Sequence, residues 1–284
     1  MEKICNKDIS LGDRIKMYEH MFTQYAVDPS IPFLARVDGR SFSTFTSKLT
    51  KPFDHKFTYA MCETAKVLVD EFRPVLAYVQ SDEISLLFKP CIDPIFNGKL
   101  SKLNSVIAST ATIWFNEFLG KDLPVNGFGI FDCRVFNVPD EWEAVNALRF
   151  RYRDAFRNAV SAAARANFGH SKTLNMNTDE KLEMLGDLWN NYPDEARFGQ
   201  FYRKVNVELP VDVDRSKLDP AVAAKIPETC IRSKIVPYEV SDGSRTAMLN
   251  DKEFGITEIV NLPDVIFRGA VAMYGSSKES TDGD

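Results

Sequence analysis

Residues 75–88 of the chain read VLAYVQSDEISLLF, and this stretch decides the predicted fold. Two apolar runs, at 75–80 and 84–88, are separated by only three residues, which include Asp82 and Glu83. Strand-like runs so closely spaced are typical of a tight β-hairpin. The stretch therefore predicts two antiparallel neighbouring strands with two carboxylates at their turn.

The segments on either side of this hairpin give the order strand, helix, hairpin, helix, strand. The strand at 33–38 is predicted to turn Phe33, Ala35 and Val37 to one face of the sheet and Leu34, Arg36 and Asp38 to the other. The remaining predicted elements are a helix from the N-cap Asp54 to Pro74, a helix at 99–120 and a strand at 128–136. This order is the split β-α-β-β-α-β unit, a ferredoxin-like and polymerase-palm-like α+β fold. It predicts a four-stranded antiparallel sheet with two helices on one face.

Hydrophobic periodicity also predicts which side chains of the two helices are buried. They are Phe57, Met61, Ala65, Leu68 and Phe72 in the first helix and Leu103, Ile107, Ala111, Trp114 and Phe118 in the second. The flanking segments predict helices at 10–25, 140–168 and 178–189, and strands at 201–207 and 230–240. We expect a catalytic domain at 1–170, a helical and stranded C-terminal elaboration at 171–274, and a disordered tail at 275–284.

Composition narrows the class of protein before any motif is considered. The 284 residues carry a formal net charge of −5, which excludes a uniformly basic nucleic-acid binder but allows a local basic face. The five cysteines form no C-x-x-C pair, and the N-terminus has no apolar run typical of a secretion signal. No apolar segment approaches the length that spans a bilayer. These features predict a cytoplasmic protein that does not enter a membrane.

Carboxylates from two separate stretches are predicted to meet at one edge of the sheet. Asp38 ends the first predicted strand, and Asp82 and Glu83 lie in the hairpin turn. Clustered carboxylates repel one another unless a cation joins them, and oxygen ligands suit Mg²⁺. Gly39, which has no Cβ, would let the backbone approach an ion or a phosphate. The alternative interpretation is an ordinary turn after Asp38 and a solvated hairpin tip.

The motifs resemble those of the tRNA-His guanylyltransferase family and its relatives, the Thg1-like proteins, which add nucleotides to RNA in the 3′-to-5′ direction. The matching stretches are 36–42 (RVDGRSF), 51–52 (KP), 80–83 (QSDE), 101–102 (SK) and 131–134 (FDCR), with Asp154 and Asn158. The resemblance covers residues 33 to about 160. It implies an enzyme that activates a 5′-phosphorylated RNA end with ATP or GTP and then joins an incoming nucleotide to that end.

The resemblance also implies roles for individual residues. Asp38 and Asp82 would bind two Mg²⁺ ions with help from the carbonyl of Gly39, and Glu83 would support this catalytic site. The implied nucleotide contacts are Arg36, Arg40, Lys51, Ser81, Lys99 and Lys102. Structural alternatives remain open here, since Arg36 could form an ion pair, Ser81 could be a turn residue and the lysines could be solubilising.

A basic stretch follows the predicted sheet. Arg149, Arg153 and Arg157 recur every fourth residue and so share one face of a helix, next to Asn158. On an acidic protein this stripe suits an RNA backbone, which predicts tRNA or another structured RNA as partner. The alternative is a solvated helix face. The three histidines have no ligand spacing, so we expect no zinc site.

The sequence departs from the family where Phe156-Arg157-Asn158-Ala159 replaces the motif His-Ile-Asn-Asn, and where Cys133 replaces a glycine. These departures favour templated repair of 5′-truncated tRNA over addition of an extra G to tRNA-His. A nucleotidyl cyclase, a conventional palm polymerase and a non-catalytic RNA-binding module remain alternatives. By family analogy we expect a homo-oligomer, typically a tetramer. The aromatic and Met-rich first helix would form core or a subunit contact.

Overall fold

The computed structural model describes residues 9–121 and 124–238, and these form an antiparallel sheet with helices on both faces. The strands are β1 (Phe33–Gly39), β2 (Leu76–Gln80), β3 (Glu83–Phe88), β4 (Phe131–Asn137), β5 (Gln200–Pro210) and β6 (Thr229–Tyr238). Their order across the sheet is β4-β1-β3-β2-β5-β6, with every neighbouring pair antiparallel. The predicted α+β fold is confirmed, and two further strands extend the predicted four-stranded sheet.

The helix predicted to begin after Asp54 has the predicted capping residue. The helices are α1 (Leu11–Thr23), α2 (Phe42–Phe45), α3 (His55–Phe72), α4 (Leu100–Leu119), α5 (Glu141–Phe168), α6 (His170–Thr173), α7 (Thr178–Leu185), α8 (Asp187–Asn190), α9 (Asp194–Phe198) and α10 (Pro220–Ala223), with 3-10 turns at Ile95–Gly98 and Arg215–Lys217. The Asp54 carboxylate accepts a hydrogen bond from the amide of Phe57 at 3.1 Å, which satisfies a free N–H in the first turn of α3. Described helices offer no segment long and apolar enough to cross a membrane.

The alternation of side chains along β1 builds a core on each face of the sheet. Phe33, Ala35 and Val37 pack with α3 and α4 on one face, as predicted. Leu34 packs on the other face with apolar side chains of α5. The expectation of helices on one face was therefore incomplete, because α5 covers the second face and brings its polar side chains close to β1 and β3.

The predicted buried face of α4 was wrong at one position. Leu103, Ile107 and Ala111 are buried, but Trp114 is 39% exposed and Phe115 is buried in its place. The buried positions follow a strict four-residue step, whereas the prediction switched to a three-residue step at Trp114. Phe118 is partly buried and stacks on Trp114 at 5.6 Å between ring centroids.

Three predicted elements differ from the structure at their ends or surroundings. β4 begins at Phe131 rather than at Phe128, whose side chain is 79% exposed. The helix predicted at 178–189 is two helices, because the backbone of Gly186 has a positive φ and ends α7. The side chains of Met17, Tyr18 and Met21 on α1 are exposed, so the described chain does not use them as core.

Residues after 170 join the same sheet. β5 pairs with β2 over three residues, Gln200 to Tyr202, and with β6 over ten. The strand predicted at 201–207 is therefore longer than expected, and the one predicted at 230–240 is described as far as Tyr238. The predicted tail at 275–284 lies outside the described residues.

Candidate active site

The predicted carboxylates meet where β1 ends and β3 begins. Asp38 lies directly opposite Glu83 on β3 and opposite Asp132 on β4. The amide of Gly39 donates a hydrogen bond to the carbonyl oxygen of Asp82 at 3.0 Å. Asp38, Gly39 and Asp82 therefore lie at one edge of the sheet, as the sequence predicts.

Gly39 is packed too closely to carry a side chain. A Cβ at this position would approach the ring of Phe42 to 2.5 Å and the Cβ of Asp82 to 2.9 Å. Phe42 is held in turn by a cluster of aromatic rings, with centroid distances of 4.9 Å to Phe131 and 5.5 Å to Phe115. This buried cluster fixes the backbone between the two aspartates.

Two arginines approach Asp38 without a close hydrogen bond. Arg36 and Arg134 each place a guanidinium nitrogen 3.8 Å from the Asp38 carboxylate, and they face each other across β1 and β4. Like charges on directly opposed strand positions repel. The Nε of Arg36 is also buried and has no hydrogen-bond partner among the described residues. These features suit an anionic ligand next to Asp38, such as a phosphate.

Glu83 is held differently from the two aspartates. Arg151 on α5 donates to both of its oxygens, with Nε 2.6 Å from Oε1 and Nη2 on Oε2. Both side chains are largely buried, with 22% and 15% exposed. A bidentate pair of this kind neutralises Glu83 and fixes its orientation.

The environment of Asp82 disfavours its charged form. Burial raises the pKa of Asp82, and the neighbouring charges of Asp38 and Glu83 raise it further. Hydrogen bonds from the backbone and from the hydroxyl of Ser81, at 3.2 Å, oppose this change. A carboxylate in such surroundings gains from a cation beside it.

The donor set fits Mg²⁺ bound together with a substrate. No group of three histidine, cysteine or acidic side chains within the described segments converges as a complete metal site. Mg²⁺ is usually held by one or two carboxylates plus substrate phosphates rather than by an all-protein cage. Asp38, Asp82 and the carbonyl of Gly39 supply oxygens of this kind. The absence of a zinc site remains a prediction.

A cavity of about 570 Å³ opens beside Asp82. Its wall includes Lys51, Ser81 and Asn158, which come from a loop, the β2–β3 turn and α5. The ammonium group of Lys51 donates to the carbonyl of Thr46 at 3.0 Å, which holds it at the rim. Cys62, Arg165 and Glu195 also line this cavity, which is large enough for a nucleotide.

Two of the remaining predicted nucleotide contacts, Lys99 and Lys102, lie away from the carboxylates. Lys99 and Lys102 are exposed at the start of α4, where the amide of Leu100 donates to the carbonyl of Tyr25. The carboxylates lie nearer the other end of this helix, where the hydroxyl of Thr112 accepts a hydrogen bond from the amide of Phe131, the residue opposite Gly39. Arg40 follows β1 and exposes its side chain, while its amide donates to Ile130 at 2.8 Å. The structure therefore does not bring the two lysines to the carboxylates.

The predicted basic residues of α5 divide between two environments. Burial, and then the charge of Arg153, lower the pKa of Arg149, which indicates that these two guanidinium groups are close together. Arg157 is exposed and pairs with Asp154 at 3.5 Å. The helix thus carries a basic pair at 149 and 153 and a charge-paired cluster nearer the carboxylates.

Sequence reasoning did not assign a site role to Asp132 or Arg151. Asp132 is identified as part of the site only by its position opposite Asp38 in the pairing of β1 with β4. Arg151 was counted in the basic stretch, but its spacing set it apart from the stripe formed by Arg149, Arg153 and Arg157. That offset was the available signal, because it places Arg151 on a different side of α5.

The fold agrees with comparisons to known proteins. The family model for tRNA-His guanylyltransferase matches residues 12–139. A bacterial tRNA-His guanylyltransferase (Thg1)-like protein solved in complex with ATP is 33% identical, with a TM-score of 0.63 over 69% of this chain and 87% of that one. A second such structure, in complex with GTP, is 25% identical, with a TM-score of 0.62 over 91% of this chain and all of that one.

Among curated proteins, an uncharacterised protein of Acanthamoeba polyphaga mimivirus is 30% identical, and the match covers 72% of this chain and 80% of that protein. A probable tRNA-His guanylyltransferase of Drosophila melanogaster is 31% identical over 46% of this chain, and the match spans about half of that protein, 47%. The fold and site define a nucleotidyltransferase with a palm-like sheet. The chain belongs to the family of tRNA-His guanylyltransferases and Thg1-like proteins.

Proposed function

We propose that the protein is a Mg²⁺-dependent 3′-to-5′ RNA nucleotidyltransferase that repairs the 5′ ends of tRNA or a similar structured RNA under the direction of a template strand. The observation that carries the proposal is the position of Asp82, which is hydrogen-bonded to Gly39, in the wall of a cavity that Lys51, Ser81 and Asn158 also line. The ATP-bound and GTP-bound relatives support a nucleotide as the occupant of this cavity.

The side chains have distinct tasks in this proposal. Two Mg²⁺ ions, held by Asp38, Asp82 and the Gly39 carbonyl, would neutralise phosphate charge and orient the reacting oxygens. Lys51 would bind a nucleotide phosphate, and Ser81 and Asn158 would hydrogen-bond to the same nucleotide. Arg36 and Arg134 would bind a phosphate group, since the Nε of Arg36 has no hydrogen-bond partner among the described residues. In the first step, the RNA 5′-phosphate would attack the α-phosphate of ATP or GTP and release pyrophosphate. In the second step, the 3′-hydroxyl of an incoming nucleotide would attack the activated 5′-phosphate and release AMP or GMP.

The surroundings of Phe156 favour templated repair over addition of an extra G to tRNA-His. Phe156 aligns with the histidine of the family motif, but here its ring stacks on Phe198 at 5.7 Å and contacts Trp189 at 5.8 Å. An apolar ring packed in this way serves the core and offers no hydrogen bond to RNA. The guanylyltransferase names of the relatives make non-templated addition the second candidate.

A nucleotide-addition assay separates these candidates. The substrates are a 5′-monophosphorylated tRNA lacking its first nucleotide and a full-length tRNA-His, each with Mg²⁺, ATP and one nucleoside triphosphate at a time. We expect the complementary nucleotide to be added only to the truncated tRNA, and Asp82→Asn to abolish the addition. Addition of G to tRNA-His alone would establish the second candidate. Mg²⁺-dependent nucleotide turnover without growth of either RNA would point to a cyclase or a conventional polymerase.

A further inference from the structure

Arg151 joins the helix α5 to the carboxylate edge of the sheet. Its guanidinium group donates to both oxygens of Glu83, and Nη2 also lies 3.4 Å from Asp154 on the next turn of α5. Its side chain does not line the cavity. Arg151 therefore acts on the site only through the groups that it holds.

The strand register places Glu83 where it could compete with Asp38 and Asp82 for a cation. Glu83 lies opposite Asp38 and next to Asp82 in the chain. The nearest alternative cation, Arg36, has its Nε 3.9 Å from Glu83, too far for a hydrogen bond. Without Arg151, a third uncompensated carboxylate would face the same cation position.

The same contact fixes the helix that completes the cavity. Asn158 lies seven residues after Arg151, two turns further along α5, and lines the cavity together with Ser81 and Asp82 of the β2–β3 turn. Because Arg151 is bonded to the first residue of β3, it ties this turn to α5. The spacing between Asn158 and Asp82 across the cavity follows from that tie.

We propose that Arg151 is a positioning residue, which sequesters Glu83 so that it does not compete with Asp38 and Asp82 for the divalent cation, and which holds α5 at the cavity wall. The inference rests on the proposed function for its catalytic readout. The claim that Arg151 keeps Glu83 away from the cation is tested by Mn²⁺ binding to the protein alone, without RNA or nucleotide.

The test compares Mn²⁺ binding and catalysis in Arg151→Leu. Mn²⁺ serves as the probe, with free ion measured by electron paramagnetic resonance in the absence of RNA and nucleotide. We expect Mn²⁺ to bind at least threefold more tightly, since the released Glu83 adds negative charge, while kcat for nucleotide addition falls at least tenfold. The KM for ATP should rise as well, because Asn158 on α5 would no longer be held at a fixed spacing from Asp82. Loss of a merely structural contact would not tighten cation binding while slowing the reaction.

Two further variants keep the test decisive. Arg151→Leu combined with Glu83→Gln removes both charges, so Mn²⁺ affinity should return to within twofold of wild type. Arg151→Lys keeps the charge but loses the bidentate fork, so kcat should fall while Mn²⁺ affinity stays unchanged. Arg151→Lys also tests the proposal if Arg151→Leu fails to fold.

A matched control breaks an ion pair of similar length away from the site. Lys204→Gln removes the 2.7 Å contact with Asp70 and should leave Mn²⁺ affinity and kcat unchanged. The inference is overturned if folded Arg151→Leu binds Mn²⁺ no more tightly than wild type, or if its kcat is unchanged. A wild type that adds no nucleotide would refute the proposed function instead, and the Mn²⁺ titrations would still decide the role of Arg151 at the carboxylates.

Discussion

The amide of Gly39 donates a hydrogen bond to the carbonyl of Asp82 at 3.0 Å, which joins the end of β1 to the β2–β3 turn. Asp38 immediately precedes this contact, and both aspartates are thereby fixed relative to each other. The candidate catalytic site thus depends on backbone packing as much as on its carboxylates.

Gly39→Ala should damage both stability and activity. The added Cβ would lie 2.5 Å from the ring of Phe42, which is buried and cannot move aside. Overpacking of this kind costs about 1–3 kcal/mol of unfolding free energy. Urea unfolding and nucleotide addition measure the two losses. Gly12→Ala on the exposed helix α1 is the control and should be neutral or stabilising. An active and equally stable Gly39→Ala would refute the packing argument.

Lys51→Met should weaken nucleotide binding more than it affects folding. The ammonium group lies at the rim of the cavity and bonds to a carbonyl of the protein at 3.0 Å, so it is positioned for a phosphate. A hydrogen bond to a charged group is worth about 1.5–3 kcal/mol, which corresponds to a rise in the KM for ATP of about tenfold or more. Lys56→Met, on an exposed position of α3 outside the cavity, should leave this KM unchanged. Equal KM values for the two variants would contradict the assignment.

Arg153→Gln should reduce both the affinity for RNA and the dependence of that affinity on salt concentration. If Arg153 neutralises one phosphate, the slope of log K against log salt concentration should fall by about 1. Filter binding or fluorescence anisotropy between low and physiological salt measures this slope. Lys225→Gln removes an exposed charge after α10 and is the charge-matched control. If both variants have the wild-type slope, the basic face of α5 is a solvated surface.

Cys133 should be nearly inert towards alkylation. Burial, and then the charge of Asp132, raise the pKa of Cys133 to about 12. The thiolate is the reactive form, so at pH 8 only about one thiol in ten thousand would be ionised. Peptide mapping after iodoacetamide treatment at pH 8 should show Cys133 modified at least 100-fold more slowly than the exposed Cys91. Comparable rates would show that Cys133 is more accessible or more acidic than this environment implies.

Local patterns in the sequence were sufficient for the hairpin and for the carboxylates at its turn. The alternation along β1 correctly separated Val37 from Asp38, because successive side chains of a strand face opposite sides. The periodicity of α4 was less informative, and it predicted Trp114 in place of Phe115 as a buried residue. On a helix, steps of three and four residues both remain near one face, so only the neighbouring surface decides between them.

The sequence by itself determined the order of the elements, the presence of carboxylates at positions 38 and 82 and the likeness to the family of tRNA-His guanylyltransferases. These depend on residue types and short spacings, which are properties of the chain alone. Only the tertiary structure decided that Arg151 holds Glu83, across 68 residues, and that Lys99 and Lys102 lie at the far end of α4. Such relationships depend on strand register and on where α5 crosses the sheet, and both are set by long-range packing of side chains that no local pattern encodes.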